Sequence, residues 1–256
     1  MTAPLATLDS VAVRYPNGTL ALDRFSLDVR AGELVSLVGA SGCGKSTALR
    51  VLAGLTEPTT GTVAWSDPAA RRDLGIVFQD ATLMPWASVI DNVWLPLRLS
   101  GIPKREATGP ITDALALVGL PDAGKLYPRE LSGGMAMRVS IARALVSRPR
   151  LLLMDEPFAA LDEITRHRLN DDLLAIREAT GTAVAFVTHS VFEAAYLSDR
   201  IAVMRAPDGG PQVVGTVPGA GGGERPADFR TTPVYSAIAR EASAMLANAM
   251  GGAVAA

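Results

Sequence analysis

The sequence predicts an α/β domain whose parallel sheet is flanked by helices, entered through an antiparallel β subdomain and interrupted by an inserted helical subdomain. Three observations carry this. Short, nearly continuous apolar runs at 34–38, 151–154 and 183–187 are each followed by a helical stretch, the pattern of strands buried on both faces. Apolar and polar residues alternate over 7–15 and 25–29, on either side of the turn signal Pro16-Asn17-Gly18. Between Val89 and Arg148 the spacing becomes mostly helical.

Along the chain, the antiparallel entry precedes the buried strand 34–38, a Gly-rich turn and a helix over 47–53. A strand over 74–78 ends just before Gln79, and helices are clearest over 111–118 and 135–146. The strand 151–154 ends in Asp155-Glu156, and 183–187 ends in Thr188-His189. From 206 to 227 the composition turns to Gly and Pro, including Gly221-Gly222-Gly223, and reads as a linker before a peripheral Ala/Met-rich helix over 233–250. This gives a main domain over 1–230, with the helical subdomain at about 85–150, and a C-terminal helical extension over 231–256. No repeat at solenoid or propeller periods is visible.

At 256 residues the chain is long enough to bury a real core, and 48% hydrophobic residues with a mean hydropathy of +0.24 exclude disorder for its bulk. The single cysteine, Cys43, excludes an intramolecular disulfide framework and multi-cysteine zinc ribbons. Lys and Arg total 24 against 26 Asp and Glu, so the global basic excess expected of a nucleic-acid binder is missing and no nucleic-acid partner is expected. No window supplies the roughly 18 to 20 apolar residues of a bilayer span, and residues 1–9 lack a secretory signal, so a cytosolic protein is expected. Docking on a membrane partner stays open.

The segment Gly39-Ala40-Ser41-Gly42-Cys43-Gly44-Lys45-Ser46 fits the phosphate-loop pattern and lies between a buried strand and a helix, the context such a motif requires. Glycines let successive backbone N–H groups curl around an anion, and the helix adds its positive N-terminal end. Lys45 reaches the β- and γ-phosphates, Ser46 supplies a hydroxyl to Mg²⁺, and Thr47 follows in the first helical turn. Asp155 and Glu156 end a second buried strand: Asp155 suits the metal, and Glu156 suits orienting or deprotonating an attacking water. Alone, that acidic pair also reads as a solvated strand terminus.

Between these motifs lies Leu131-Ser132-Gly133-Gly134-Met135, opening a helix that continues through Arg138 to Val146. Ser132 is also a plausible helix N-cap. With the phosphate loop before it and the acidic pair after it, the segment 131–145 resembles the signature motif and helix of the ATP-binding-cassette family. The resemblance runs over about 8–247 and implies a P-loop NTPase core. By that resemblance Gln79 corresponds to the glutamine that senses Mg²⁺ and the γ-phosphate. Ala160-Leu161-Asp162 corresponds to the D-loop, His189 to the switch histidine, and Tyr15 to the aromatic residue that stacks on adenine. The bland readings are a loop amide, a structural histidine and an exposed strand tyrosine. The family also implies a head-to-tail dimer with a second copy, in which Ser132, Gly133 and Gly134 of one chain close over ATP held by the phosphate loop of the other.

Met135 and Met137 stand where glutamines are usual, Ala159 where Ser or Gly is usual, and Ser190 where an aspartate often follows the histidine. Lys45, Ser46, Asp155, Glu156 and His189 are all kept, so a competent ATPase is expected. Leu83, Met84 and Trp86 read either as a socket for the coupling helix of an integral-membrane permease or as core of the helical subdomain. The run Leu83-Met84-Pro85-Trp86, with Asp91-Asn92-Val93 after it, resembles the nitrate, sulfonate and taurine importer branch, with importers of pyrimidine-type precursors close by. That resemblance implies a peripheral subunit on the cytoplasmic face of the cell membrane, powering import of a small anionic or N/S-containing solute brought by a solute-binding protein. The alternative is a soluble cassette ATPase acting on nucleic acid or ribosomes, which predicts coiled-coil insertions or basic arms. A phosphate-loop kinase would leave the signature unused.

Overall fold

The computed structural model describes residues 4–67, 70–71, 73–207, 212–223 and 225–251. The chain opens with the antiparallel pair β1 (Pro4–Arg14) and β2 (Leu20–Arg30), joined by a turn in which Gly18 N–H bonds the Tyr15 carbonyl at 2.9 Å. Both strands outrun the alternation read from sequence. Ser10 and Arg24 take positive φ, the register shifts between Leu8 and Val11, and the apolar/polar period is lost there while pairing continues to Arg14 and Leu20. After β3 (Leu34–Gly39) and α1 (Lys45–Leu52), β4 (Thr60–Trp65) pairs with β1 to complete a three-stranded sheet. That strand went unread in the sequence.

The strand β5 (Leu74–Val77) leads into a helical segment formed by α2 (Val89–Leu99), α3 (Lys104–Leu117) and α4 (Gly133–Leu145). The helix expected to begin at 111 begins seven residues earlier and carries Pro110 within it, on a half-exposed face. The chain returns through β6 (Leu151–Asp155), α5 (Glu163–Thr180), β7 (Ala183–Thr188), α6 (Val191–Leu197) and β8 (Arg200–Met204). It ends with β9 (Val213–Pro218) and α7 (Pro233–Gly251).

The second sheet has the order β5-β6-β7-β3-β8-β9, parallel except for β9, which runs antiparallel to β8. Its two faces feed two separate cores, because successive strand residues point opposite ways. Leu34, Val38, Leu152, Met154, Val184 and Phe186 face the helices α2 to α7. Val35, Leu37, Leu151, Leu153, Ala185 and Val187 face α1 and the antiparallel sheet. Burial on both sides turns these strands into uninterrupted apolar runs, each side chain contributing on the order of 1.5–3 kcal/mol.

Two readings of the C-terminal region are corrected. The Gly/Pro tract over 206–227 contains β9 and is a sheet edge rather than a linker; residues 208–211 and 224 of that tract lie outside the described residues. The last helix is not peripheral: Tyr235, Ala239 and Ala242 are buried in the helical-side core. Phe229 and Tyr235 pack edge-on with centroids 5.8 Å apart, and Tyr196 joins them. Among the described residues no helix is long and apolar enough to cross a membrane.

Candidate active site

Parallel pairing sets the carboxyl ends of β3, β6 and β7 side by side, the crevice where open α/β sheets bind ligands. The loop leaving β3 is the predicted phosphate loop. Gly44 sits at φ 100, a conformation costly for any residue with a Cβ, and a Cβ there would also strike the Ala21 carbonyl oxygen. The N–H groups of Ser41, Gly42, Gly44 and Ser46 have no hydrogen-bond acceptor among the described residues, and α1 begins within this run. A row of free amides at a helix N-terminus fits an anion.

Lys45 is only 5% exposed, and its ammonium is held inside the loop by the carbonyls of Gly39 at 2.9 Å and Ala40 at 3.0 Å. Burying it without partners would cost several kcal/mol. The Ser46 hydroxyl donates to Asp155 Oδ1 at 2.8 Å across the sheet end. Burial pushes the Asp155 carboxyl above its ordinary pKa, against the opposing pull of that hydrogen bond. A hydroxyl and a carboxylate are hard oxygen donors of the kind Mg²⁺ takes together with substrate phosphates and water.

Glu156 follows in the left-handed region at φ 46, held there by its N–H to the Val187 carbonyl at 3.0 Å. Such a conformation costs an L residue about 1–2 kcal/mol, and it places the carboxylate between Lys45 and His189. One carboxylate oxygen lies 3.9 Å from Lys45 Nζ, and the other lies 3.3 Å from His189 Nδ1. Lys45, Ser46, Asp155, Glu156 and His189, drawn from three strand ends, therefore form one cluster.

Tyr15 lies beside the first turn of α1, its hydroxyl 3.4 Å from Thr47 Oγ1, and bonds none of these five residues. Cys43 is buried behind the loop, and burial raises its thiol pKa. Gln79 is exposed just past β5 and bonds no described residue. Ser132 caps α4 by accepting from Met135 N–H at 3.2 Å, and Gly134 packs so closely on α5 that a Cβ would lie 2.7 Å from Thr165. Among the described residues no hydrogen bond or ion pair joins Ser132, Gly133 or Gly134 to the loop 39–46. Asp162 caps α5 through Thr165 N–H at 2.9 Å.

Two of the four departures from the family pattern have local explanations, and nothing in the structure explains Met135 or Ala159. Met137 is buried in the helical-side core, where an apolar side chain fits. Ser190 caps α6 by accepting from Glu193 N–H at 3.2 Å. Leu83 packs against the core, whereas Trp86 is 78% exposed, so the core reading holds for Leu83 and not for Trp86.

Sequence reasoning missed several supporting residues. Arg143 on α4 clamps the loop after Gln79, bonding the carbonyls of Thr82 at 2.8 Å and Ala81 at 2.9 Å. Asn92, fully buried, staples the Trp86 loop through Met84, Ala87 and Ser88. Arg166 bonds the carbonyl of Leu161 at 2.8 Å and approaches Glu193 at 3.6 Å, and Glu193 accepts from Thr188 Oγ1 at 2.5 Å, next to His189. Gln212 bonds the Cys43 carbonyl at 2.9 Å. Arg143 lies within the signature helix, which offered a signal; Gln212 offered none.

The sequence profile of the ABC transporter family matches residues 22–159. An uncharacterized ABC transporter ATP-binding protein of Methanocaldococcus jannaschii is 47% identical over 196 residues, covering 75% of this chain and 73% of that protein. The taurine import ATP-binding protein of Rhizobium johnstonii is 45% identical over 196 residues, covering 75% of each. A spermidine/putrescine import ATP-binding protein of Thermobifida fusca is 42% identical over 210 residues, covering 78% of this chain and 55% of that one. Among solved structures, cbiO1 from Clostridium perfringens, part of the ABC transporter complex cbiONQ, superposes with a TM-score of 0.71 at 26% identity, covering 78% of this chain and 84% of that one. With its phosphate loop, acidic strand end and histidine assembled at the carboxyl end of one sheet, this chain belongs to the ABC transporter family as an ATP-binding ATPase.

Proposed function

We propose that the chain powers an importer by binding and hydrolysing ATP at a site it completes only with a second copy of itself. The observation that carries this reading is the Glu156 carboxylate, bracketed by Lys45 at 3.9 Å and His189 at 3.3 Å while Ser132, Gly133 and Gly134 make no bond to the same loop. In this reading the amides of Ser41, Gly42, Cys43, Gly44, Lys45 and Ser46 bind the phosphates, Gly39 gives the loop its close turn, and Thr47 and Tyr15 line the nucleotide's other side. Lys45 leaves the Gly39 and Ala40 carbonyls for the β- and γ-phosphate oxygens, an exchange of neutral acceptors for charged ones. Glu156 accepts a proton from the attacking water, and His189 steadies that carboxylate and the γ-phosphate. Mg²⁺, when bound, neutralises phosphate charge; Ser46, Asp155 and Gln79 would hold it.

Ser132, Gly133 and Gly134 serve the site of the partner copy, so a head-to-tail dimer has two sites. ATP closes that dimer and hydrolysis reopens it. The catalytic domain spans 1–230 with its helical subdomain at about 85–150, and 231–256 forms the helical extension. The partner across the membrane surface is a permease that meets the Trp86 loop, and the chain sits peripherally on the cytoplasmic side.

Taurine import relatives at about 45% identity support a small N/S-containing anion or zwitterion as cargo, delivered to the permease by a solute-binding protein. The polyamine import relatives favour a second cargo reading, a small polycation. Vesicles carrying the co-purified permease and this chain separate the two: taurine-stimulated ATP turnover supports the first, spermidine-stimulated turnover the second. Hydrolysis that persists at full specific rate on dilution well below any dimer would overturn the shared site.

A further inference from the structure

Gln212 lies at the entrance to β9, in the stretch that composition alone reads as a linker, and it is fully buried. Its side-chain amide gathers three parts of the fold. Nε2 donates to the Cys43 carbonyl at 2.9 Å, with longer contacts to Arg205 at 3.4 Å and Ala21 at 3.5 Å. Oε1 accepts from Asp23 N–H at 2.8 Å. A buried amide with donors and acceptor all engaged has a single orientation, since turning it over would set donor against donor and acceptor against acceptor.

The Cys43 carbonyl is one end of a planar trans peptide whose other end is the Gly44 N–H, and the two point in opposite directions. Gln212 takes the carbonyl with the same amide nitrogen that meets the Ala21 and Arg205 carbonyls. Among the described residues no backbone N–H bonds that carbonyl, Thr47 included, so the glutamine is its one hydrogen-bond donor there. Gly44, at φ 100 and without a Cβ, has the freedom to let this peptide rotate. The restraint that glycine removes is restored from 169 residues away.

We propose that Gln212 is a positioning residue for nucleotide binding: by holding the Cys43 carbonyl it fixes the 43–44 peptide so that the Gly44 N–H stays aimed into the phosphate loop. It touches no substrate and acts through that one peptide. This rests on the reading of 39–46 as the triphosphate site. The segment carrying β9 thus belongs to the nucleotide site as much as to the sheet edge.

Four proteins test it: two variants at Gln212, the unmodified chain and Lys45→Ala. Gln212→Met keeps the volume and removes the amide; Gln212→Glu keeps an acceptor for Asp23 N–H and removes the donor to Cys43. Both variants are expected to raise KM for ATP about tenfold and weaken ADP binding similarly, with kcat within about twofold. A purely structural role would instead lower the thermal midpoint with KM unchanged, which overturns the proposal. On the unmodified chain, a through-hydrogen-bond coupling between Gln212 Nε2 and the Cys43 carbonyl carbon is expected by NMR, and its absence overturns the proposal even where the variants fail to fold. Lys45→Ala separates the two levels: retained ATP binding in it removes the phosphate-site reading itself, whereas lost binding there with normal KM in both Gln212 variants removes only the role of Gln212.

Discussion

Glu156 and His189 meet at 3.3 Å across the ends of two adjacent strands. The backbone of Glu156 is tied to Val187, two residues before His189, so carboxylate and imidazole share a mount. Hydrolysis proposed to depend on that pair is expected to fall by about 10²-fold or more in Glu156→Gln, while ATP binding survives. Steady-state phosphate release together with light scattering checks both halves. An ATP-dependent dimer that accumulates in the variant supports the shared site, and a monomer at saturating ATP argues against it.

Lys45→Ala removes the ammonium but leaves the carbonyls of Gly39 and Ala40 facing the loop interior. Charge-assisted bonds to phosphate are lost and two acceptors are left to face the anion, so affinity for ATP is expected to fall about 100-fold or more by calorimetry. Unchanged affinity would dismiss the loop as the phosphate site.

Trp86 is 78% exposed on a loop that Asn92 pins from below. Trp86→Ala is therefore expected to change unfolding free energy by no more than about 0.5 kcal/mol and to leave ATP affinity unaltered. Recovery of the permease in mild-detergent co-purification should drop sharply. Asn92→Ala, by contrast, should destabilise by about 1–3 kcal/mol, because it strands several buried backbone groups.

Asp91 supplies a pH test away from the active cluster. The Lys104 ammonium bonded at 2.6 Å, and then the Ser88 hydroxyl, hold its carboxyl below the ordinary value of 3.8. A lowered folded-state pKa gives stability that is present above the unfolded value and lost as pH falls through the folded one. Both side chains are more than a third exposed, so the pair contributes only about 0.5 kcal/mol. Asp91→Asn should show that deficit in urea unfolding at about pH 7 and none near about pH 2; an equal deficit at both would assign the effect to packing.

How much of this was legible beforehand depended on where each residue's partners lie. Leu34, Leu151 and Ala183 announced buried parallel strands because both faces are covered, and the motifs at 39–46, 131–135 and 155–156 pointed to the chemistry only in combination. β4 was hidden because it lies half-exposed at the edge of a small sheet, with Thr and Gly where apolar residues would signal pairing. β9 was hidden by the Gly and Pro around it, since its edge position needs only pairing with β8. The contacts of Gln212 and Arg143 join residues 169 and 62 positions apart, and no local pattern records such pairs.

Arg143 grips the loop beyond Gln79 from near one end of α4, and Ser132 caps the opposite end. Thirteen helical residues make a rod of about 20 Å, stiff enough to move as a piece. In the proposed dimer, a small swing of that loop would be carried along this helix, as through a lever arm, to the face that Ser132 caps. The two halves of the proposed shared site would then be geared together within one subunit.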